Sequence, residues 1–196
     1  MGAETKERVL QVARDLIHAS SYTEVSLQDI CDAAGVRKGS LFHFFPSKEA
    51  LGLAVAGRNR ELLAALLDET LGTEAPPLER LTTFFHAFAR MLATMRQPMG
   101  STPGCPLGGL AAELGPGPSD LRAAVTRDLE AWAGRFEGAV REAQARGEVD
   151  AATDPRAGAL ALLAHLQGAA LLAHALDDPD VVHQAAGAVP HLLAPR

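Results

Sequence analysis

The chain has 196 residues, 47% of them hydrophobic, 21% charged and 5% aromatic, with a formal net charge of −6. Those values exclude a disordered tail, a fibre and a disulfide-stapled miniprotein. Two cysteines, Cys31 and Cys105, cannot build a four-ligand zinc site, no CxxC spacing is present, and no basic stretch followed by an apolar run opens the sequence, so a reducing cytoplasm is the expected compartment.

Proline and glycine divide the chain into helical blocks, and no segment has the alternation or Val/Ile/Thr/Tyr enrichment of a strand. The expected class is all-α, with about nine helices. The first, about Thr5 to Ala19, places Val9, Leu10, Ala13, Leu16 and Ile17 on one face. Ser26 followed by Asp29 fits a capping box for a second helix, about Leu27 to Ala34, which Gly35 ends. A third, about Lys38 to Phe44, has Leu41, Phe44 and Phe45 as its apolar side and stops before Pro46. Ser47 caps a long fourth helix, about Lys48 to Leu71. Beyond Pro76-Pro77 a fifth runs from about Leu78 to Met95, Gln97 to Gly104 forms a loop, and Pro106 opens a short sixth ending near Leu114. The seventh spans about Ser119 to Arg146 and the eighth about Pro155 to Leu176. Asp177-Asp178-Pro179 caps a ninth, to about Leu193.

An acidic chain is a poor match for nucleic acid until its charge is divided by position. Residues 1–60 hold eight Lys/Arg and seven Asp/Glu, whereas residues 61–196 hold ten Arg and seventeen Asp/Glu. From Ala33 to Lys48 there is no acid, while Arg37, Lys38 and Lys48 are present, so a basic island falls on the third short helix. Two short helices joined by a Gly-containing turn are the geometry that lets one helix enter the DNA major groove while the other braces it. Helix N-termini near Ser26 and Ser47 add amides suited to phosphate oxygens.

The run Ser26-Leu27-Gln28-Asp29-Ile30-Cys31-Asp32-Ala33-Ala34-Gly35-Val36-Arg37-Lys38-Gly39-Ser40-Leu41-Phe42-His43-Phe44-Phe45-Pro46-Ser47-Lys48-Glu49-Ala50-Leu51 resembles the TetR/AcrR family of bacterial repressors. Thr5-Lys6-Glu7-Arg8-Val9-Leu10, with Ala13 and Leu16, extends the likeness over roughly residues 4–55. The resemblance implies a three-helix DNA-binding domain at 1–47 and a larger helical domain at 48–196 that binds a small molecule and dimerises. It implies a repressor that leaves a palindromic operator when that molecule binds. Carried over by position, it assigns DNA contact to Ser26, Gln28, Lys38, Ser40, Phe42, His43 and Lys48; Gly39 is a further candidate, as is Arg37, which either adds a base or phosphate contact or only coats the helix end. Arg37 departs from the usual small polar residue, Phe42 and Phe44 stand where tyrosine or histidine is more usual, and Ser21 replaces a customary glycine.

In the C-terminal part, Phe84, Phe88, Met91 and Met95 form one helical stripe and Val125, Leu129, Trp132 and Phe136 another. Gathering the only tryptophan with phenylalanine and methionine suits an adaptable apolar pocket. The expected lining is Phe88, Met91, Met95, Cys105, Leu110, Glu113, Trp132, Phe136 and His165, with Glu113 or His165 hydrogen-bonding a hydrophobic or aromatic effector. The segment Gly104 to Leu114 is similar to one in a family branch that includes regulators of lincomycin and flavonoid resistance genes. Two alternatives stay open: a thiol-based electrophile or redox sensor acting through Cys105, and a DNA-binding protein gated by no ligand. No metal, cofactor or catalytic signature is expected; GxSxG, HExxH, P-loop and GxGxxG are all missing. Ala157 to Leu176 has no charge, yet its polar interruptions and acidic flanks argue against a membrane span. A helix apolar nearly all round points instead to a homodimer through residues about 155–193.

Overall fold

The computed structural model describes residues 2–193, and among them every regular element is helical. The elements are α1 (Gly2–Ala19), α2 (Leu27–Ala34), α3 (Lys38–Phe44), α4 (Lys48–Leu71), α5 (Pro77–Met99), α6 (Pro106–Glu113), α7 (Asp120–Ala145), α8 (Pro155–Ala175), α9 (Asp180–Ala185) and α10 (Val189–Leu192), with a 3-10 turn at Ala186–Ala188. Two compact units form. One holds Met1–Glu61 and Pro106–Asp128, the other Leu62–Cys105 and Leu129–Arg196.

In the first unit, local caps set the helix ends. The Ser26 hydroxyl accepts from the Asp29 N–H at 3.1 Å and the Asp29 carboxylate accepts from the Ser26 N–H at 2.8 Å, completing the capping box. Gly35 closes α2 in the left-handed region (φ 63°), where a Cβ would be strained. α1 packs on α2 and α3. Val9, Ala13 and Ile17 supply one side of the core, and Ile30, Cys31, Ala34, Leu41 and Phe45 the other. Gly52 of α4 permits a close approach, since a Cβ there would stand 2.8 Å from both Tyr22 and Leu121. Asn59, fully buried, donates its amide to the Pro106 carbonyl at 3.2 Å and lies 3.1 Å from the His18 Nε2.

The second unit is built on an aromatic core. Phe84 and Phe88 of α5 meet Trp132 and Phe136 of α7 with centroid separations of 5.3 to 6.2 Å, mostly edge to face. α9 packs on α5 and α8. Buried Arg80 ties the end of α4 to α7, donating to the Leu71 carbonyl at 2.7 Å and pairing with Glu142. After α8 the chain turns at Asp177 (φ 51°), whose carboxylate takes the Arg96 guanidinium and both the N–H and hydroxyl of Thr102. Those donors hold the Asp177 pKa down to about 2, the Arg96 hydrogen bonds first among them.

α1 starts at Gly2, three residues before the expected Thr5, and two other boundaries differ from the sequence reading. α5 continues through Pro98 to Met99, because a proline one turn from a helix end removes only one late N–H; Gly100 (φ 76°) then caps onto the Arg96 carbonyl at 2.8 Å. The ninth helix is not continuous. Pro190 cannot donate to the carbonyl four residues back, so the chain tightens into the 3-10 turn and restarts with Pro190 in the first turn of α10.

Candidate nucleic-acid interface and sensor core

The basic island lies on the outer face of α3. Arg37, Lys38, Gly39, Ser40, Phe42 and His43 are all exposed, whereas Leu41 between them is fully buried. Phe42 is 45% exposed, a large apolar ring partly left in water. Ser26 and Gln28 at the start of α2 are exposed too, Gln28 bonded to Asp32 at 2.7 Å. No Cβ at Gly39 would meet another atom within 4 Å, so nothing inside the protein requires glycine there.

Lys48 is the exception to this open face. It is half-buried, its ammonium donates to the Thr23 carbonyl at 3.1 Å, and it stands 5.0 Å from the centre of the Tyr22 ring. The Thr23 N–H, on the preceding peptide, donates to the Glu113 carboxylate at 2.9 Å. Thr23 is therefore held from both sides in the turn that leads into α2. Sequence reading did not find Thr23, because its partners lie 25 and 90 residues away and periodicity carries no information at that range.

Of the nine candidate ligand residues, seven lie in the second compact unit and two in the first. Phe88, Trp132 and Phe136 come together in the aromatic core, and Met91 and Met95 follow on α5, half-buried. Cys105 is buried at 5% exposure. Leu110 and Glu113 belong to the other compact unit, where Glu113 holds Thr23. The His165 ring nitrogen engages the Ala185 carbonyl at 3.0 Å and its ring lies against Phe85. Both polar candidates thus already have protein partners. The Trp132 Nε1, in contrast, is buried with no hydrogen-bond partner. Two open recesses, one of about 380 Å³ beside Arg96 and Gly100 and one of about 420 Å³ beside Lys6 and Arg58, include none of the nine.

Among the described residues no three His, Cys, Asp or Glu side chains gather as a metal site. His86 and His183 do meet, Nδ1 to Nδ1 at 2.8 Å, with burial first and His183 second pushing the His86 pKa down.

Known proteins show which family the chain belongs to. Residues 9–55 match the family described as "Bacterial regulatory proteins, tetR family", and residues 77–189 match "Tetracyclin repressor-like, C-terminal domain". The chain belongs to the TetR family. It is similar to the transcriptional regulator AcuR of Cereibacter sphaeroides, 35% identical over 178 residues that span 90% of this chain and 80% of the relative. It is also similar to the transcriptional repressor DhaR of a Mycobacterium species, at 29% identity over 85% of this chain and 80% of the relative. Among solved structures, a regulatory protein TetR from Rhodobacter sphaeroides superposes with a TM-score of 0.83 at 33% identity, covering 96% of this chain and 98% of the other. The crystal structure of reduced Escherichia coli NemR, at 23% identity and a TM-score of 0.79, shares the fold.

This TetR-family member is accordingly a DNA-binding transcriptional regulator and not an enzyme. Its α2 and α3 fall inside the matched N-terminal region, and the aromatic core of α5 and α7 inside the matched C-terminal region.

Proposed function

We propose that the protein is a cytoplasmic, ligand-gated repressor that binds a palindromic operator as a homodimer. Residues 1–47 act as the DNA-binding domain and 48–196 as the sensor and dimerisation domain. The observation that carries the DNA reading is the outer face of α3, where two cations, a glycine, a serine, an aromatic ring and a histidine are exposed in succession over a buried Leu41. Arg37, Lys38, Ser40 and His43 offer hydrogen bonds to bases or phosphates, and the Phe42 ring suits a thymine methyl. Gly39 lets the nucleic-acid backbone approach closely. Ser26, Gln28 and Lys48 complete the set, Lys48 with the ammonium hydrogens that Thr23 does not use.

Dimerisation is supported by an apolar surface along the C-terminal helices. Leu160, Leu171, Leu172 and Leu176 are between 45% and 66% exposed, and Leu192 is also exposed. Five exposed leucines along these helices favour a protein contact, and a two-fold pairing through α8, α9 and α10 would cover them. Length and composition alone would let α8 cross a membrane; acids at Asp154, Asp177 and Asp178 flank it, and the family is one of DNA-binding regulators.

The effector is a small hydrophobic or aromatic molecule received by the core of Phe88, Trp132 and Phe136 with Met91 and Met95. The likeness of Gly104 to Leu114 to a lincomycin- and flavonoid-responsive branch points the same way without naming the molecule. Burial of Cys105 favours a ligand over a thiol trigger. The test is a titration of duplex DNA by fluorescence anisotropy at several salt concentrations, for the parent and for Lys38→Ala. Loss of affinity and a shallower salt slope in the variant support the reading; an identical slope overturns it.

A further inference from the structure

His86 and His183 are 97 residues apart in sequence and meet where α9 packs on α5, both within the second compact unit. Their places are set by the core: Phe85 and Ala87 on either side of His86, and Val182 beside His183, are buried, whereas His86 itself is half-buried and His183 exposed. The two Nδ1 atoms are 2.8 Å apart, the ring centres 4.2 Å apart and the ring planes at 42°. A collinear N–H···N bond of that length would hold the ring centres roughly 5 Å apart. At least one ring therefore leans off the line between the nitrogens, as neighbouring imidazole ligands of one ion do. Two nitrogens each about 2.0 Å from a metal, at a right angle to one another, are about 2.8 Å apart.

We propose that His86 and His183 form a two-imidazole site for a divalent transition-metal ion, nickel(II) or copper(II) by preference, which fastens α9 to α5. Imidazole nitrogens in a right-angled arrangement suit these ions, whereas magnesium and calcium take oxygen ligands. Among the described residues no third His, Cys, Asp or Glu joins the pair, which argues against a closed structural zinc site and leaves the remaining positions to water. The acids before His183 are engaged within their own segment: Asp180 accepts from Gln184 at 3.1 Å, and Asp178 accepts from the Asp180 N–H at 2.9 Å. Burial first, then His183 and Arg90, hold the His86 pKa below its usual value, so this ring is neutral and able to ligate at neutral pH. Arg90 is also the nearby charge that opposes a cation, and it limits the affinity that two imidazoles reach. α5 carries Phe84 and Phe88 of the aromatic core, and α9 lies in the segment proposed for two-fold pairing, so a bound ion stiffens the link between them. The site itself does not depend on that pairing.

The test is titration of the tag-free full chain with NiCl₂ at about pH 7.5, by calorimetry and by thermal melting, with MgCl₂ as the comparison. Saturable binding of one Ni²⁺ per chain is expected, with a melting temperature raised by Ni²⁺ and not by Mg²⁺. At about pH 5.5 the affinity should fall, because protons compete for the imidazoles. His86→Gln and His183→Gln, with helix content checked by circular dichroism, should each bind Ni²⁺ about tenfold or more weakly. His174→Gln, whose parent ring engages the Thr102 carbonyl, should bind as the parent does. Undiminished binding in both His86→Gln and His183→Gln would place the metal elsewhere and overturn the site. Absence of a saturable Ni²⁺ signal in the parent up to millimolar concentration would overturn it too, and would mark the contact as a shared proton.

Discussion

Gly39 occupies the second position of α3, where glycine is a poor helix former and nothing within 4 Å demands it. Its cost to the helix and its place on the exposed face are reconciled if DNA comes close at that point. Gly39→Ala should therefore raise stability by up to about 1 kcal/mol in urea unfolding, while weakening operator binding. Unchanged operator affinity would remove Gly39 from the interface. His18 carries a different residue-scale consequence. Burial, and then Arg14, hold its pKa at about 4 rather than 6.5, so between those values the unfolded chain binds more protons than the folded one. Stability is thus lost as pH falls from 6.5 to 4, on the order of 3 kcal/mol. Urea midpoints measured across that range should fall steeply for the parent and more gently for His18→Gln; parallel curves would contradict this.

At the scale of elements, α6 is tied at one end to α4, where the Pro106 carbonyl accepts from Asn59, and at the other to the turn before α2, where Glu113 accepts the Thr23 N–H. Glu113→Ala should weaken operator binding by about 0.5–1.5 kcal/mol through a loosened turn before α2, with the salt slope intact, because no phosphate contact is lost. Lys48→Ala should weaken it and lower the slope by about one. Equal slopes in the two variants would mean that Lys48 only braces Thr23. Both ends of α2, the stop of α3 and the start of α4 were legible in the sequence because each carries its own chemistry, Ser26 and Ser47 at the starts and Gly35 and Pro46 at the stops. The outer face of α3 was legible for the same reason, since burial of Leu41 fixes which side chains point out. The ninth helix was not, since Pro190 acts through a carbonyl four residues away in a segment whose composition reads as one helix. The hydrogen bond of Glu113 to the Thr23 N–H was not legible, because the two residues lie 90 apart in sequence. Trp132 could be placed in the core from spacing alone, but its unpaired N–H is a property of packing.

For the whole molecule, the net charge of −6 conceals a division in which residues 1–60 are nearly balanced and hold the basic island, while residues 61–196 hold seventeen acids against ten arginines. Such a distribution favours approach to DNA by one face. A single DNA-binding unit with a seven-residue recognition helix has few base contacts, so the two-fold pairing proposed through α8 to α10 doubles the readout. Leu171→Glu, placing a charge on a residue that is 66% exposed, should leave the protomer folded, yield a monomer in sedimentation velocity and weaken operator binding. A dimer of parental stability would place the interface elsewhere. The most direct test of the account is selection of binding sequences from a random duplex library by the intact protein. The account predicts enrichment of an inverted repeat with half-sites separated by about one or more helical turns, lost in Lys38→Ala. Enrichment of a single unpaired half-site would contradict the dimer, and no enrichment at all would contradict sequence-specific DNA binding through α3.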